Sequence, residues 1–306
     1  MPVISVINYK GGVGKTTLTS NIAAELAQRG MKVLAIDLDA QASLTFSLVQ
    51  PDYWSNHLQH DRTIKQWFDS FSEDSNPPID LESLILKPTP VNTRLGKNGG
   101  ALHFIASHLG LINVDLELAT ELGGSNLSQT KRKYLKVHRR LIDGLSRPAF
   151  ASYDVILIDC PPNFNIVTKT AIIASDQILV PSKPDYLSTL GTEYLIRSLD
   201  ELVEEHNDYL DNNNANLEIS PEILGVIFTM VQIYSGVPIS AQRPFIAQTR
   251  SLGLYVFDSY FRDSKTNLAN AAAENVPLIL DNYASTEELV QELREMVDEV
   301  AKRAGL

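Results

Sequence analysis

The residues of this chain best suited to chemistry stand almost at its start: Lys10-Gly11-Gly12-Val13-Gly14-Lys15-Thr16-Thr17. Glycines at this density let backbone N–H groups close around an anion, and a helix beginning behind them adds partial positive charge. Lys15 is placed to reach the β- and γ-phosphates of a nucleotide, and the Thr16 hydroxyl to ligate Mg²⁺. Two more segments offer carboxylates, Asp37-Leu38-Asp39-Ala40-Gln41 and Asp159 in Ile158-Asp159-Cys160-Pro161-Pro162. Anions beside a polyphosphate are unfavourable unless a cation or a proton transfer engages them. Such acids can hold a Mg²⁺ shell or orient an attacking water.

These groups meet only if the chain folds in a particular way. Val3–Ile7 is an apolar run that predicts a buried strand, and Leu18, Ile22, Ala23 and Leu26 fall on one face of a helix reaching Gln28. Arg29-Gly30 stops that helix, and Met31–Ile36 predicts the next strand, which delivers Asp37 and Asp39 at its carboxyl end. A strand–helix–strand unit of this length is a right-handed parallel crossover. Ligands of open α/β sheets sit outside the carboxyl ends of their strands, so topology alone puts Asp37 and Asp39 beside the glycine loop. Val155–Ile158, ending in Asp159, predicts another buried strand, as do Ser175–Pro181 and Leu224–Met230; Tyr255–Phe257 reads as the last. Cys160 would then point away from a cation at Asp159 and serve as a buried packing thiol.

The glycine loop departs from the common pattern G-x-x-x-x-G-K-[ST]. Tyr9 stands where the first glycine is required, and a second lysine, Lys10, heads the loop. This form resembles the deviant Walker A loop of the ParA/MinD family of P-loop ATPases. Tyr153-Asp154-Val155-Ile156-Leu157-Ile158-Asp159-Cys160-Pro161-Pro162 resembles that family's Walker B signature, and D-x-D-A-Q its usual D-x-D-P-Q, with Ala40 in place of proline. Val180-Pro181-Ser182-Lys183-Pro184 and Tyr260-Phe261-Arg262-Asp263, continued by Asn267, Leu268 and Ala271, also resemble family segments, although the proline expected before Arg262 is missing.

The resemblance implies an α/β fold with a doubly wound, mostly parallel sheet, a P-loop NTPase of the SIMIBI-like group. The expected organisation is one ATPase domain over residues 1–306, with a peripheral elaboration at about residues 50–100. It implies ATP and Mg²⁺ as cofactors, nucleotide binding by Lys10 through Thr17, and metal contacts from Thr16, Asp37 and Asp159. Lys10, Lys15 and Asp39 would be catalytic. Lys10 would cross a dimer interface to the partner's nucleotide, Asp39 would activate water, and Met230 would border the adenine. The function implied is that of a Mg²⁺-dependent ATPase whose ATP-bound homodimer holds non-specific DNA. It would partition or position a plasmid, chromosome or other cargo, and a ParB-like partner would stimulate hydrolysis. The alternative is a MinD-like, membrane-associated positioning ATPase.

The rest of the chain bears on that choice. A net charge of −11 over 306 residues excludes a protein basic over its whole surface, though not a local basic patch. Cys160 is the sole cysteine, so neither an internal disulfide nor a multi-cysteine metal site forms within one chain. No apolar run is long enough to span a bilayer, and the chain opens on a strand, giving the expectation of a cytoplasmic protein, nucleoid-associated if it binds DNA. The final helix, from Thr286 to Arg303, starts with a capping pattern at Ser285. It carries an apolar stripe of Leu289, Leu293, Met296, Val297 and Val300 amid acidic residues. Anionic lipid calls for a basic polar face, so this helix docks on the core and no stable membrane association is expected.

Lys131, Arg132, Lys133, Lys136, Arg139 and Arg140 form the densest basic cluster, readable as a solvated helix face or an anion site. Within residues 50–100, Thr63–Phe68 predicts a short helix, Trp54 and Trp67 predict packing residues, and Asn76-Pro77-Pro78 predicts a turn. Leu95–Gly100 followed by Ala101–Ala106 predicts a hairpin turn into a strand. Arg262 is compatible with the base region, the dimer or DNA.

Overall fold

Apolar runs such as Val-Ile-Leu-Ile at 155–158 have no polar face to offer solvent, so they demand a sheet covered on both sides. The computed structural model of the chain, which describes residues 1–71, 78–96, 100–210, 215–264, 274–280 and 287–306, has that sheet. Seven parallel strands run in the order β3-β2-β4-β1-β5-β6-β9. They are β1 (Val3–Val6), β2 (Lys32–Asp37), β3 (Ala101–Ile105), β4 (Val155–Asp159), β5 (Gln177–Ser182), β6 (Glu222–Val231) and β9 (Phe261–Arg262). A separate antiparallel ribbon joins β7 (Ile233–Tyr234) to β8 (Val237–Pro238). The strands β1 and β2 are not neighbours: β4 occupies the gap between them and pairs with both.

One face of the sheet is covered by α1 (Lys15–Gln28), α2 (Ser43–Leu48) and the terminal α12 (Glu287–Ala304). The other carries α6 (Leu111–Glu121), α7 (Leu127–His138), α8 (Arg140–Leu145), α9 (Ile166–Ile173), α10 (Tyr186–Tyr209) and α11 (Arg243–Ser251). Between β2 and β3 lie the short helices α3 (Pro51–His57), α4 (Ile64–Asp69) and α5 (Thr89–Asn92), so the helix expected over 63–68 is present. Trp54 and Trp67 are buried as packing residues, and the Trp54 indole N–H donates to the Ser107 carbonyl.

Helix α1 ends as its sequence requires. Gly30 takes φ 101°, its amide donates to the Ala27 carbonyl, and the Met31 amide reaches back to Leu26. The chain entering β3 crosses this end so closely that a Cβ at Gly100 would stand 1.9 Å from the Ala27 carbonyl oxygen. Helix α12 docks through Leu289, Leu293, Met296, Val297 and Val300 as expected, all buried. Its capping residues Ser285 and Thr286 lie outside the described residues, as do Asn76, Pro77, Asn267, Leu268 and Ala271.

Three expectations are corrected. The Tyr255–Phe257 segment is not the last paired strand; it shares two backbone hydrogen bonds with Val226, and the last strand among the described residues is Phe261–Arg262. A register shift opposite Ile178 and Leu179 bends β6 at Gly225, which adopts φ 146° and lies under the Tyr255 backbone. The segment therefore meets β6 at one parallel bridge, Val226 to Val256, and pairs no further. The expected hairpin before β3 is also absent from the described residues: β3 runs parallel to β2, and its antiparallel contact is a single bridge from Phe104 to Leu86. The open edge of β2 takes the strand instead. Lastly, Arg139 and Arg140 leave the solvated face: the buried stripe of Tyr134, Val137, His138, Leu141 and Leu145 runs on across the α7–α8 junction, and neighbouring segments cover both arginines beside it. Both are buried, Arg139 donating to the Leu217 carbonyl and Arg140 pairing with Glu121. Among the described residues, no helix is long and apolar enough to cross a membrane.

Candidate nucleotide site

The carboxyl ends of β1, β2 and β4 are adjacent, and each contributes to one site. The loop after β1 turns into α1 through Gly12 at φ 66° and Gly14 at φ 81°, conformations that strain an L side chain. Gly14 is the N-cap of α1 and no side chain caps the helix, so its first amides, which lack intrahelical acceptors, are left for an anion. A Cβ on Gly11 or Gly12 would meet no atom within 4 Å. The loop borders a cavity of about 410 Å³ that Gly11, Gly12, Gly14, Lys15, Thr16 and Thr17 line together with Asp39 and Met230.

Beneath this cavity the charges are buried and close. Asp37 and Asp159 face each other in register across β2 and β4, and neither is exposed. Burial raises both carboxyls, and the proximity of the Asp159 charge adds to the rise at Asp37; the hydrogen bonds that Asp37 accepts from the Thr45 amide and hydroxyl oppose it. The Thr16 hydroxyl donates to Asp159 Oδ2 at 2.6 Å, and Thr19 to Oδ1 at 3.4 Å. Lys15 is buried, which lowers its ammonium from the ordinary value, while Asp159 and Asp39 pull it back up. Its Nζ has only long contacts, to the carbonyls of Asn8 at 3.3 Å and Lys10 at 3.4 Å. Asp39 accepts from the Gln41 amide at 2.9 Å and stands on the cavity wall.

This donor set fits a nucleotide with a divalent cation. Uncapped amides and a buried ammonium suit phosphate; a hydroxyl joined to one of two buried carboxylates suits Mg²⁺ and its water shell. Among the described residues no three His, Cys, Asp or Glu side chains converge on a metal position, so a cation here would lean on Thr16 and on oxygens of the ligand.

Four expected residues do not line the cavity: Asp37 and Asp159 lie beneath it, and Val13 and Lys10 stand off it. Val13 is buried, and its carbonyl accepts from the Thr229 hydroxyl at 2.8 Å, which fixes the loop from behind. Lys10 turns away: its Nζ bonds Asp185 Oδ1 and Oδ2 at 2.9 and 2.8 Å and Ser188 Oγ at 2.9 Å, at the start of α10. Arg262 lies elsewhere, paired with Glu288 and Glu292 of α12. Cys160 is buried, and burial pushes its thiol up to about 12.

Other cavity residues escaped the sequence reading. Asn21 and Ser20 line it from the second turn of α1, and Val276, Pro277 and Leu278 close its far side. Asn21 Oδ1 accepts from the Ile279 amide at 2.8 Å, tying that segment to α1. The readable signal was a run of small polar residues on a helix turned to the core.

With this geometry in place, comparison with known proteins is informative. A family model described as an AAA domain matches residues 1–212. The sporulation initiation inhibitor protein Soj of Bacillus subtilis is 27% identical over 289 residues, spanning 91% of this chain and 90% of Soj. The ATP complex of McdA from Cyanothece superposes with a TM-score of 0.70 at 22% identity, covering 100% of this chain and 97% of that one. Cobyrinic acid a,c-diamide synthase from Mycobacterium smegmatis, with bound ATP analog and magnesium, gives 0.67 at 19% identity, covering 100% and 97%. ATP and Mg²⁺ in such neighbours agree with the donor set described above. The AAA-domain match over two thirds of the chain, the deviant loop with its two lysines and the buried Asp159 together place this protein in the ParA/MinD-type family of partition ATPases.

Proposed function

We propose that this chain hydrolyses ATP to ADP and phosphate as a ParA-type switch, forming a homodimer on ATP that holds non-specific DNA and positions a cargo. A partner protein would stimulate hydrolysis and release. The observation that carries this reading is the Thr16–Asp159 hydroxyl–carboxylate pair beside buried Lys15, set at the uncapped start of α1.

In the proposed chemistry, Lys15 and the amides of the loop bind and orient the β- and γ-phosphates. Thr16, backed by Asp159 and Asp37, would hold Mg²⁺, which supplies neutralising charge on the phosphate oxygens. Asp39, on the cavity wall, would hold the attacking water and its proton. Met230 would border the base. The direction of Lys10 supports its role in trans: it points out of its own cavity, toward Asp185 beyond β5 at the carboxyl end of the sheet. Lys10→Ala is then expected to abolish ATP-dependent dimerisation and slow turnover; unchanged dimerisation and turnover would remove that role.

Titration of non-specific duplex DNA and of anionic liposomes, each with ATP and with ADP, tests the whole. DNA binding should require ATP and weaken steeply with salt. Absence of ATP-dependent DNA binding at low salt would refute the DNA-positioning reading, and binding to liposomes alone would turn it to a membrane-associated one. Acidic α12 opposes that second outcome. A cytoplasmic, nucleoid-bound distribution follows from the first.

A further inference from the structure

On the face of the sheet opposite α1, a groove of about 630 Å³ lies between α4, α6 and α7, apart from the nucleotide site. Its floor is apolar, made by Phe68, Phe71, Val114, Leu118 and Val137. Leu116 borders it and, with Ile112 one turn away on α6, leaves an apolar stripe in solvent; the two are 71% and 67% exposed. Lys133 and Lys136 stand on the α7 wall, one turn apart. Among the described residues no ion pair engages either ammonium; of the carboxylates that line the groove, Asp69 and Glu121 pair with Lys65 and Arg140, and Glu117 is in no ion pair.

Arg140 supplies the second observation. Its side chain is only 2% exposed, and its guanidinium stacks over Phe71 at 4.6 Å. Only Nη2 has a partner, Glu121; Nε and Nη1 are buried without an acceptor. It faces an adjoining cavity of about 290 Å³ that shares Phe71 and Lys136 with the groove. Buried donors left unmade cost free energy that an incoming anion recovers. Among the described residues, two ammoniums without an ion pair and a half-satisfied arginine, against the one carboxylate of Glu117, leave a small positive excess around an apolar trough in a chain of net charge −11.

We propose that this groove docks an acidic amphipathic segment of a partner protein. An apolar side chain of the segment fills the space over Phe71, while its carboxylates meet Lys133, Lys136 and Arg140. Helix-in-groove recognition has this form, with apolar anchors at helical spacing and complementary charge at the rim. Duplex DNA fits it poorly, since Asp69, Glu117 and Glu121 interrupt the cations and the floor is apolar. The proposal is independent of the nucleotide reading.

The test uses the full chain and two fluorescein-labelled helical peptides with identical Leu and Phe anchors at i,i+4 spacing. In one the remaining positions are mostly glutamate, in the other mostly lysine. The glutamate peptide should bind, more weakly as salt rises, and the lysine peptide should not. The double variant Lys133→Glu/Lys136→Glu should lose about tenfold or more in affinity, with basal ATP turnover unchanged. Leu116→Asp, at an exposed position that leaves the core intact, should also weaken binding. Equal binding of both peptides, no binding of the glutamate peptide, or affinity unaffected by the double variant would overturn the proposal. So would a double variant that loses duplex DNA or anionic vesicles with no glutamate-peptide binding in the parent, or a size measurement showing copies of the chain joined through α6 and α7.

Discussion

Lys15 illustrates how single groups are tuned here. Burial disfavours its charge, yet the carboxylates of Asp159 and Asp39 keep the ammonium in place with few hydrogen bonds of its own, ready for phosphate. If Asp39 handles the water, Asp39→Ala should retain ATP affinity, read by a fluorescent analogue, while phosphate release falls by about 100-fold or more. Thr16→Ala should instead raise the Mg²⁺ concentration needed for turnover, a difference visible in a Mg²⁺ titration. A different residue contributes to the response to acid. His138 lies buried against Tyr134, its Nδ1–H donating to that residue's carbonyl, and burial pushes the ring down to about 4. Its folded value lies below its unfolded one, so the unfolded chain binds the extra proton, and stability is lost as pH falls from 6.5 toward about 4. The expected loss from this ring is about 3 kcal/mol, and His138→Phe should flatten that part of the stability profile in urea titrations. The reactive loop was legible because phosphate chemistry dictates residue types at fixed spacing. The burial of Arg139 and Arg140 was not, since it depends on Leu217, Glu121 and Phe71, which the fold brings to them from elsewhere in the chain.

Among the elements, α1 carries most of the positioning, for it begins at the phosphate loop and ends against the entry to β3. The Gly100 contact makes this end intolerant of any side chain. Gly100→Ala should lower stability by about 3 kcal/mol, measured as a shift in denaturant midpoint. Gly123→Ala, where a Cβ meets nothing within 4 Å, should change it by less than about 0.5 kcal/mol. The strands β1, β2, β4 and β5 could be read from sequence because burial on both faces leaves continuous apolar runs. The edge could not. At Tyr255–Phe257 the run is equally apolar, but the bulge at Gly225 and the close approach of the Tyr255 backbone there limit the pairing to one bridge, and neither has a signature in the run itself. The same holds for β3, whose parallel partner is chosen by the vacant edge of β2 and not by the turn residues before it.

At the scale of the molecule, the site belongs to no contiguous piece of chain. Thr16 and Asp159 are 143 residues apart and joined by one hydrogen bond. The strand that brings Asp159 is β4, which fits between β1 and β2 and bonds to both. Biosynthesis must therefore wait. Until β4 has emerged, β1 and β2 have no strand between them, and the nascent chain keeps two interior edges of bare amides and carbonyls. Insertion of a late strand between two early ones is a long-range step, slow by loop-closure entropy and exposed to aggregation meanwhile. A chain arrested before Val155 would hold the whole phosphate loop in its sequence and have no place to bind phosphate.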